Sequence, residues 1–310
     1  MKTEAAALPT ARALPSGGVV GWLTETAFPV LVVVAALTAV WYLAAVWMNA
    51  PFEIDQKARA GEPWTWSQIV PLTMEQERPV LPAPHQVFAE LWKTTVGTAV
   101  TSKRSLVYHA GVTLSSTLVG FGIGTILGIA LAIAILHSPT LDRSLMPWVV
   151  SSQTIPILAI APMIIVVANA VGVTGLLPKA FISTYLSFFP VTVGMVKGLR
   201  SPEVIHLDLM RTYSASPTTV LMKLRLPASV PFLFTSMKVA IAASLVGAIV
   251  GELPTGAVAG LGARLLAGSY YGQTVQIWSA LFAAAVLAAC LVALVGLAER
   301  IVRRRMGIPA

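Results

Sequence analysis

The stretch "DLMRTYSASPTTVLMKLRLP", residues 208–227, holds three basic side chains and one acid between two long apolar runs. The chain has 310 residues, 56% hydrophobic and only 11% charged, with a mean hydropathy of +0.79. Soluble domains are about a quarter charged. Several uncharged runs of twenty residues or more therefore place the chain among membrane proteins rather than soluble helical ones. The formal charge of +8 is read as basic cytoplasmic loops, not nucleic-acid binding. The single cysteine, Cys290, can form neither an internal disulfide nor a zinc site and reads as a small core side chain.

Outward from the polar stretch, the spans follow from a hydrocarbon thickness of about 30 Å, which needs about 20 helical residues. Residues 28–48 form the first span, with Trp41, Tyr42 and Trp47 as an interfacial belt. A cleaved signal peptide is the rival reading, but "PSGG" and Glu25 make a poor leading region and the apolar run is long. Residues 110–136 form the second span, in which Gly120, Gly124 and Gly128 lie four apart. That spacing stacks them on one face and predicts close packing against another helix. Residues 144–178 are uncharged but too long for one simple span; Pro147, Pro156 and Pro162 predict a kinked helix and a peripheral turn. Further spans are expected from about 178 to 196, from 231 to 251, and from about 274 to 298.

Lys and Arg decide orientation. With the N-terminus inside, thirteen basic residues fall on the inner side, against Lys179 and Arg264 in short outer loops. The six in residues 49–109 are not weighed, because long segments translocate largely regardless of charge. The expected organisation is a cytoplasmic tail (1–27), a first transmembrane helix (28–48) and an external loop (49–109). A five-helix core (110–298) follows, containing a cytoplasmic loop at 199–230, and then a basic cytoplasmic tail (299–310). In the external segment Val87, Phe88, Leu91, Trp92 and Thr95 share one helical face, as an interfacial helix or one packed on the spans.

The opening stretch thus lies on the cytoplasmic side. Val204–Tyr213 reads as a short amphipathic helix, and Ser216–Pro217 as the cap and first turn of a second. Pro227 is expected to interrupt that second helix. Two short helices with apolar side chains toward the cytosol make a docking surface.

The spacing of this loop resembles that of binding-protein-dependent ABC importer permeases. Their pattern is Glu-Ala-Ala, three residues, Gly, nine residues, Ile, one residue, Leu-Pro. Here it reads Asp208-Leu209-Met210, three residues, Ser214, nine residues, Leu224, Arg225, Leu226-Pro227. "LPAPHQVFAELW", "TLSSTLVGFGIGTILGIALAI", "TIPILAIAPMIIV" and "GLGARLL" extend the resemblance to the nitrate/sulfonate/taurine branch over residues 80–300. The resemblance implies an all-α polytopic protein of about six transmembrane helices with type I importer architecture. It implies one half of a translocation pathway in the bacterial cytoplasmic membrane, with both termini cytoplasmic. Glu203, Asp208, Leu209, Met210, Arg211, Ser214, Ala215, Leu224, Leu226 and Pro227 would form the coupling element, seated on a cytoplasmic ABC ATPase dimer. Ser214, where the family has Gly, implies that a left-handed backbone is either absent or strained. The further partners implied are an external substrate-binding protein and a second permease, either the same chain or a more typical one. The cargo would be a small solute, anionic in the manner of a sulfonate or nitrate, with a thiamine pyrimidine precursor or riboflavin as the alternative. Ser151, Gln153, Thr154, Asn169 and Thr184 are the candidate pathway lining.

No G-x-x-x-x-G-K-[ST] loop occurs, so ATP-Mg belongs on the partner ATPase and no cofactor is expected here. Neither H-E-x-x-H, nor a cysteine cluster, nor G-x-S-x-G is present, and His85, His109, His137 and His206 read as interfacial or loop residues. An ion-coupled carrier would carry intramembrane ionisable residues. Only Glu252 comes close, and it is expected at the water-accessible outer end of the fifth span. A membrane-embedded enzyme would pair its polar groups with an acid or a histidine, and the spans lack that pairing.

Overall fold

The structure, a computed structural model, describes residues 27–254 and 257–307. The expected N-terminal tail therefore lies outside the described residues except for Ala27, as do Thr255 and Gly256 of "GELPTG" and the last three residues of the C-terminal tail. Among the described residues all regular structure is helical. Five helices are long and apolar enough to cross a membrane, or six crossings if one bent pair counts as a span. The chain divides into two compact units after Gln86.

In the first unit, α1 (Phe28–Ala60) runs well past the expected end at residue 48. Its apolar stretch gives way to Glu53, Asp55, Lys57 and Arg59, so the last turns are polar helix rather than span. Asn49, fully buried, holds the returning chain to it. Its Oδ1 accepts from Val80 N at 2.8 Å and Leu81 N at 3.2 Å, and its Nδ2 donates to Leu81 O at 2.9 Å. Trp41 departs from the belt reading, because its indole N–H donates to Pro82 O at 3.0 Å. A short α2 (Trp66–Glu75) lies between. The next helix, α3 (Pro84–Thr95), straddles the division. Val87, Phe88, Leu91, Trp92 and Thr95 fall on one side of this helix, with Val87 buried and Phe88 and Trp92 exposed.

The second unit is built on α4 (Leu106–His137), α7 (Leu176–Leu199) and α10 (Leu226–Glu252), with α12 (Thr274–Arg305) packed on α10. In α4 the glycine row faces α7. A Cβ on Gly120 would stand 2.3 Å from Ser183 Cβ, and one on Gly128 would stand 2.8 Å from Val191 Cβ. The backbones are close enough that Thr184 Oγ1 donates to the Gly120 carbonyl at 3.2 Å across the joint. Gly247 of α10 lies against the same Ser183. Here the obstacle is backbone: an added Cβ would meet Ser183 Cα at 2.8 Å and Ile182 O at 3.0 Å. Alanine raises intrinsic helix stability by about 1 kcal/mol over glycine, but overpacking a close joint costs about 1–3 kcal/mol. Gly247→Ala is therefore expected to lower the melting temperature in detergent by about 2 °C. Gly122→Ala, with nothing within 4 Å, should leave it unchanged or raise it; equal shifts in the two variants would contradict this packing.

Residues 144–178 hold a break far sharper than a kink, a broken span or a re-entrant loop. The helix α5 (Pro139–Ser151) and a turn to Thr154 meet α6 (Ile157–Ala170) at a bend of 100°. Pro156 stands at the N-cap of α6, where its missing N–H leaves no vacancy in the ladder. Cys290, read as a core residue, is exposed on α12. Lys238 of α10 reaches Glu299 of α12 at 2.5 Å.

Candidate coupling segment and the polar joint at its far end

Helix α8 (Val204–Thr212) leads into the bend and α9 (Pro217–Val220) leads out of it. The C-terminus of α8 is closed by Ser214 N donating to Arg211 O at 2.8 Å and Ala215 N to Met210 O at 3.0 Å. That pair of bonds places the intervening residue in the left-handed region, usually as glycine. Ser214 occupies it with φ +49°, so the left-handed backbone is present and a side chain is held there at a cost of order 1 kcal/mol. Ser216 Oγ then accepts from Thr219 N at 3.2 Å and caps α9.

The expected interruption at Pro227 does not occur. A widened turn over Leu221–Arg225 carries α9 directly into α10, giving helix from Pro217 to Glu252. Proline clashes with the carbonyl four residues back, and widening the ladder before Pro227 relieves that clash without ending the helix. Two contacts tie this junction to the core. Arg225 Nη1 donates to Leu199 O at 2.8 Å. Leu221, with Leu226 beside it, packs into a cluster with Ala132, Ile135, Met195, Val196 and Leu199. Leu224, Met210 and Ala215 are half-buried.

The outer side of the bend has no protein cover. Val204 is 71% exposed, Ile205 70%, Leu209 52% and Tyr213 76%. Glu203 is exposed at the N-cap of α8. Asp208 Oδ1 accepts from Arg211 Nη1 at 2.9 Å, and both side chains are largely in the open. Such a pair contributes at most about 1 kcal/mol, so the carboxylate can exchange its donor for another.

At the far end of the same continuous helix stands Glu252. It is fully buried, not water-accessible as expected. Thr113 Oγ1 of α4 donates to Glu252 Oε1 at 2.9 Å, and Gly262 N donates to Oε2 at 2.8 Å. Thr113 Oγ1 also accepts from Leu261 N at 2.8 Å. His109, likewise buried rather than in a loop, accepts from Gly260 N at Nδ1 (3.0 Å), which leaves Nε2 to donate to Lys103 O (2.9 Å). The Gly260–Leu261–Gly262 turn, which opens α11 (Leu261–Tyr270), is thereby pinned to α4 and α10. Its glycines are required: Gly260 has φ +128°, and a Cβ there would stand 2.2 Å from the Glu252 carboxyl carbon. The sequence offered one signal for this joint, a lone acid ten residues before a Gly-x-Gly turn, but not the hydroxyl and imidazole that complete it.

The five candidate lining residues do not form one surface. Ser151, Gln153 and Thr154 are exposed at the α5–α6 bend, and Asn169 is exposed near the end of α6, roughly 18 Å away along the helix at 1.5 Å per residue. Thr184 is 8% exposed and its hydroxyl is engaged between α4 and α7. Among the described residues no cluster of His, Cys, Asp or Glu could hold a metal ion.

The sequence profile of the binding-protein-dependent transport system inner membrane component matches residues 124–308. A probable ABC transporter permease protein of Haemophilus influenzae is 30% identical over 212 residues, 68% of this chain and 81% of that protein. A riboflavin transport system permease of Chloroflexus aurantiacus is 30% identical over 225 residues, 73% and 80% of the two chains. A nitrate import permease of Leptolyngbya laminosa is 26% identical over 224 residues, 71% and 78%. In three dimensions the chain resembles the MetNI methionine ABC transporter in an inward-facing conformation, with a TM-score of 0.54 at 20% identity, over 64% of this chain and 95% of that one.

Proposed function

Since the chain belongs to the family of binding-protein-dependent transport system inner membrane components, and is an ABC importer permease, we propose that residues 203–227 are the element through which an ATPase drives it. The permease is not itself enzymatic; ATPase and binding-protein partners come with the family. The observation that carries the reading is mechanical. An uncovered apolar bend at 204–213 continues through α9 into one helix ending at Glu252. That helix is roughly 54 Å long at 1.5 Å per residue. Force applied at α8 passes through the Ser214 turn, closed by the Ser214–Arg211 and Ala215–Met210 backbone bonds, and from α9 onward along one helix. Two docked ATPase subunits closing on ATP-Mg would move two such rods, one in each permease subunit of the pair, whether a second copy of this chain or a different permease.

In this reading the chain lies in the bacterial cytoplasmic membrane with both termini and the bend on the cytoplasmic side, and the Glu252 joint at the outer side. An external binding protein delivers a small solute. Nitrate and riboflavin are the cargoes named for relatives of similar coverage.

Asp208 reaches outward beside the apolar residues and is paired only within its own helix. Asp208→Arg is expected to leave membrane insertion and melting temperature unchanged while weakening co-purification of the ATPase about tenfold, the order of one charge-assisted hydrogen bond replaced by repulsion. Unchanged co-purification together with wild-type uptake would remove the docking role.

A further inference from the structure

Where α7 meets α4, three α7 hydroxyls stand around one α4 carbonyl. Thr184 Oγ1 donates to the Gly120 carbonyl at 3.2 Å and to Ala180 O, in its own helix, at 2.9 Å. Ser187 Oγ donates to the same Gly120 carbonyl at 3.3 Å and to Thr184 O at 3.2 Å. A hydroxyl carries one proton, so each of these two is satisfied within α7 alone and holds α4 only through its longer bond. Ser183 differs from both. It is fully buried, and its Oγ has no hydrogen-bond partner among the described residues. Its Cβ fills the room that Gly120 leaves, and its Cα lies against Gly247 of α10. Serine and threonine in a helix commonly fall back on a carbonyl three or four residues earlier, as Thr184 and Ser187 do here. Ser183 does not. A buried hydroxyl without a partner weakens the arrangement that contains it, and alanine would occupy the same place without that loss.

Gly120 thus offers its carbonyl to two donors that can release it, beside a third that has nothing. Such a joint has two settings. In the first, Thr184 and Ser187 hold the carbonyl. In the second, a small turn of α7 about its own axis puts Ser183 Oγ there, while Thr184 and Ser187 keep their bonds within α7. We propose that Ser183 is a positioning residue of the transport cycle, whose hydroxyl takes the Gly120 carbonyl when α7 turns against α4. The turn has a source: Arg225 Nη1, just past the bend, donates to Leu199 O at the end of α7, so the driven segment grips α7 as well as α10. The proposal rests on the permease reading and deepens it, from where force enters to how one joint in the core responds. Coupling needs an element with two discrete arrangements that a distant site can bias, and a shared acceptor with exchangeable donors is one.

The assembled transporter is prepared with Ser183→Ala and, separately, with Thr184→Val. Two quantities are measured: the melting temperature without nucleotide, and the ADP held by vanadate during ATP hydrolysis, which counts transporters arrested in the driven state. Ser183→Ala should raise the melting temperature by about 2 °C, because the idle hydroxyl is gone. It should lower trapped ADP and uptake about tenfold, because the second setting has lost its donor. Thr184→Val should act in the opposite sense, lowering the melting temperature and raising trapped ADP. A general packing defect would not give the two variants opposite signs. If the melting temperature of Ser183→Ala fails to rise, or its trapping stays within about twofold of wild type, the exchange is overturned. Trapping that moves the same way in both variants, or does not move in Thr184→Val, overturns it too. ATP-dependent uptake by the wild-type transporter tests the permease reading separately. If that uptake is ATP-driven and the variants match it, only the exchange falls. If ATP hydrolysis never drives uptake, the permease reading falls and the exchange with it.

Discussion

Glu252→Leu lowers the melting temperature of the detergent-solubilised permease by about 5 °C, and Glu252→Gln lowers it by less than half as much. The carboxyl group is the acceptor for Thr113 Oγ1 and Gly262 N in a site with no exposure. Leucine removes both acceptors, strands the Gly262 N–H, leaves Thr113 Oγ1 only the His109 carbonyl at 3.2 Å, and sets Gly260, shaped to approach the carboxyl, against a branched hydrocarbon. Leaving a buried neutral donor without an acceptor costs about 1–3 kcal/mol, which for a chain of this size corresponds to a shift of a few degrees. Glutamine keeps one carbonyl acceptor, so one of the two donors stays paired. The measurement is a thermal denaturation series followed by intrinsic fluorescence. A second readout separates the joint from general destabilisation: limited proteolysis should cut first around the Gly260–Gly262 turn in Glu252→Leu. Melting equal to wild type, with that turn still protected, would show that α4 and α12 hold it without the acid.

The double substitution Ile205→Glu with Leu209→Glu abolishes ATP-driven uptake and weakens ATPase attachment about a hundredfold. Each side chain is more than half exposed, and burying such a residue in an interface contributes about 1.5 kcal/mol or more. Two together give about 3 kcal/mol, or roughly two decades in affinity. Because neither side chain packs within the permease, its own melting temperature should stay within about 1 °C of wild type. The check is a pull-down with the ATPase titrated over three decades, beside a thermal scan of the permease alone. Intact attachment with a lowered melting temperature would invert the assignment, making these residues part of the fold rather than of an interface. Asp208→Arg probes one polar contact at the edge of the same ridge, and its smaller expected effect follows from that position.

The sequence by itself determined the type of the elements and the places of the long ones. A hydrocarbon interior leaves a chain few choices: uncharged runs of twenty or more residues must be helices, and the five long ones stand where composition placed them. The two short helices around Ser216 were equally legible, because a serine–proline cap is a local signal. Membership in the importer permeases was legible as well, from the order of motifs over residues 80–300.

Only the tertiary structure decided what the helices do to one another. Spacing showed that Gly120, Gly124 and Gly128 share a face. It did not show that Gly247 meets α7 at Ser183, the residue Gly120 also meets, since that depends on which helices meet and at what rotation. Pro227 looked like a break because the rule against proline in a helix is local, whereas the widened turn beside it is held by Leu221 and Arg225 against the end of α7. Glu252 looked solvated because a lone acid at the end of an apolar run has no sequence neighbour to satisfy it. Its partners are Thr113, 139 residues earlier, and the turn ten residues later. Lys179 likewise read as an outer-loop charge, and only the packing of α4, α6 and α7 encloses it. In each case the missing information was a long-range pairing. Hydrophobicity acts through area and has no direction, so it fixes which segments are buried. Hydrogen bonds and close contacts depend on distance and angle between groups far apart in the chain, and those are set only when the helices pack.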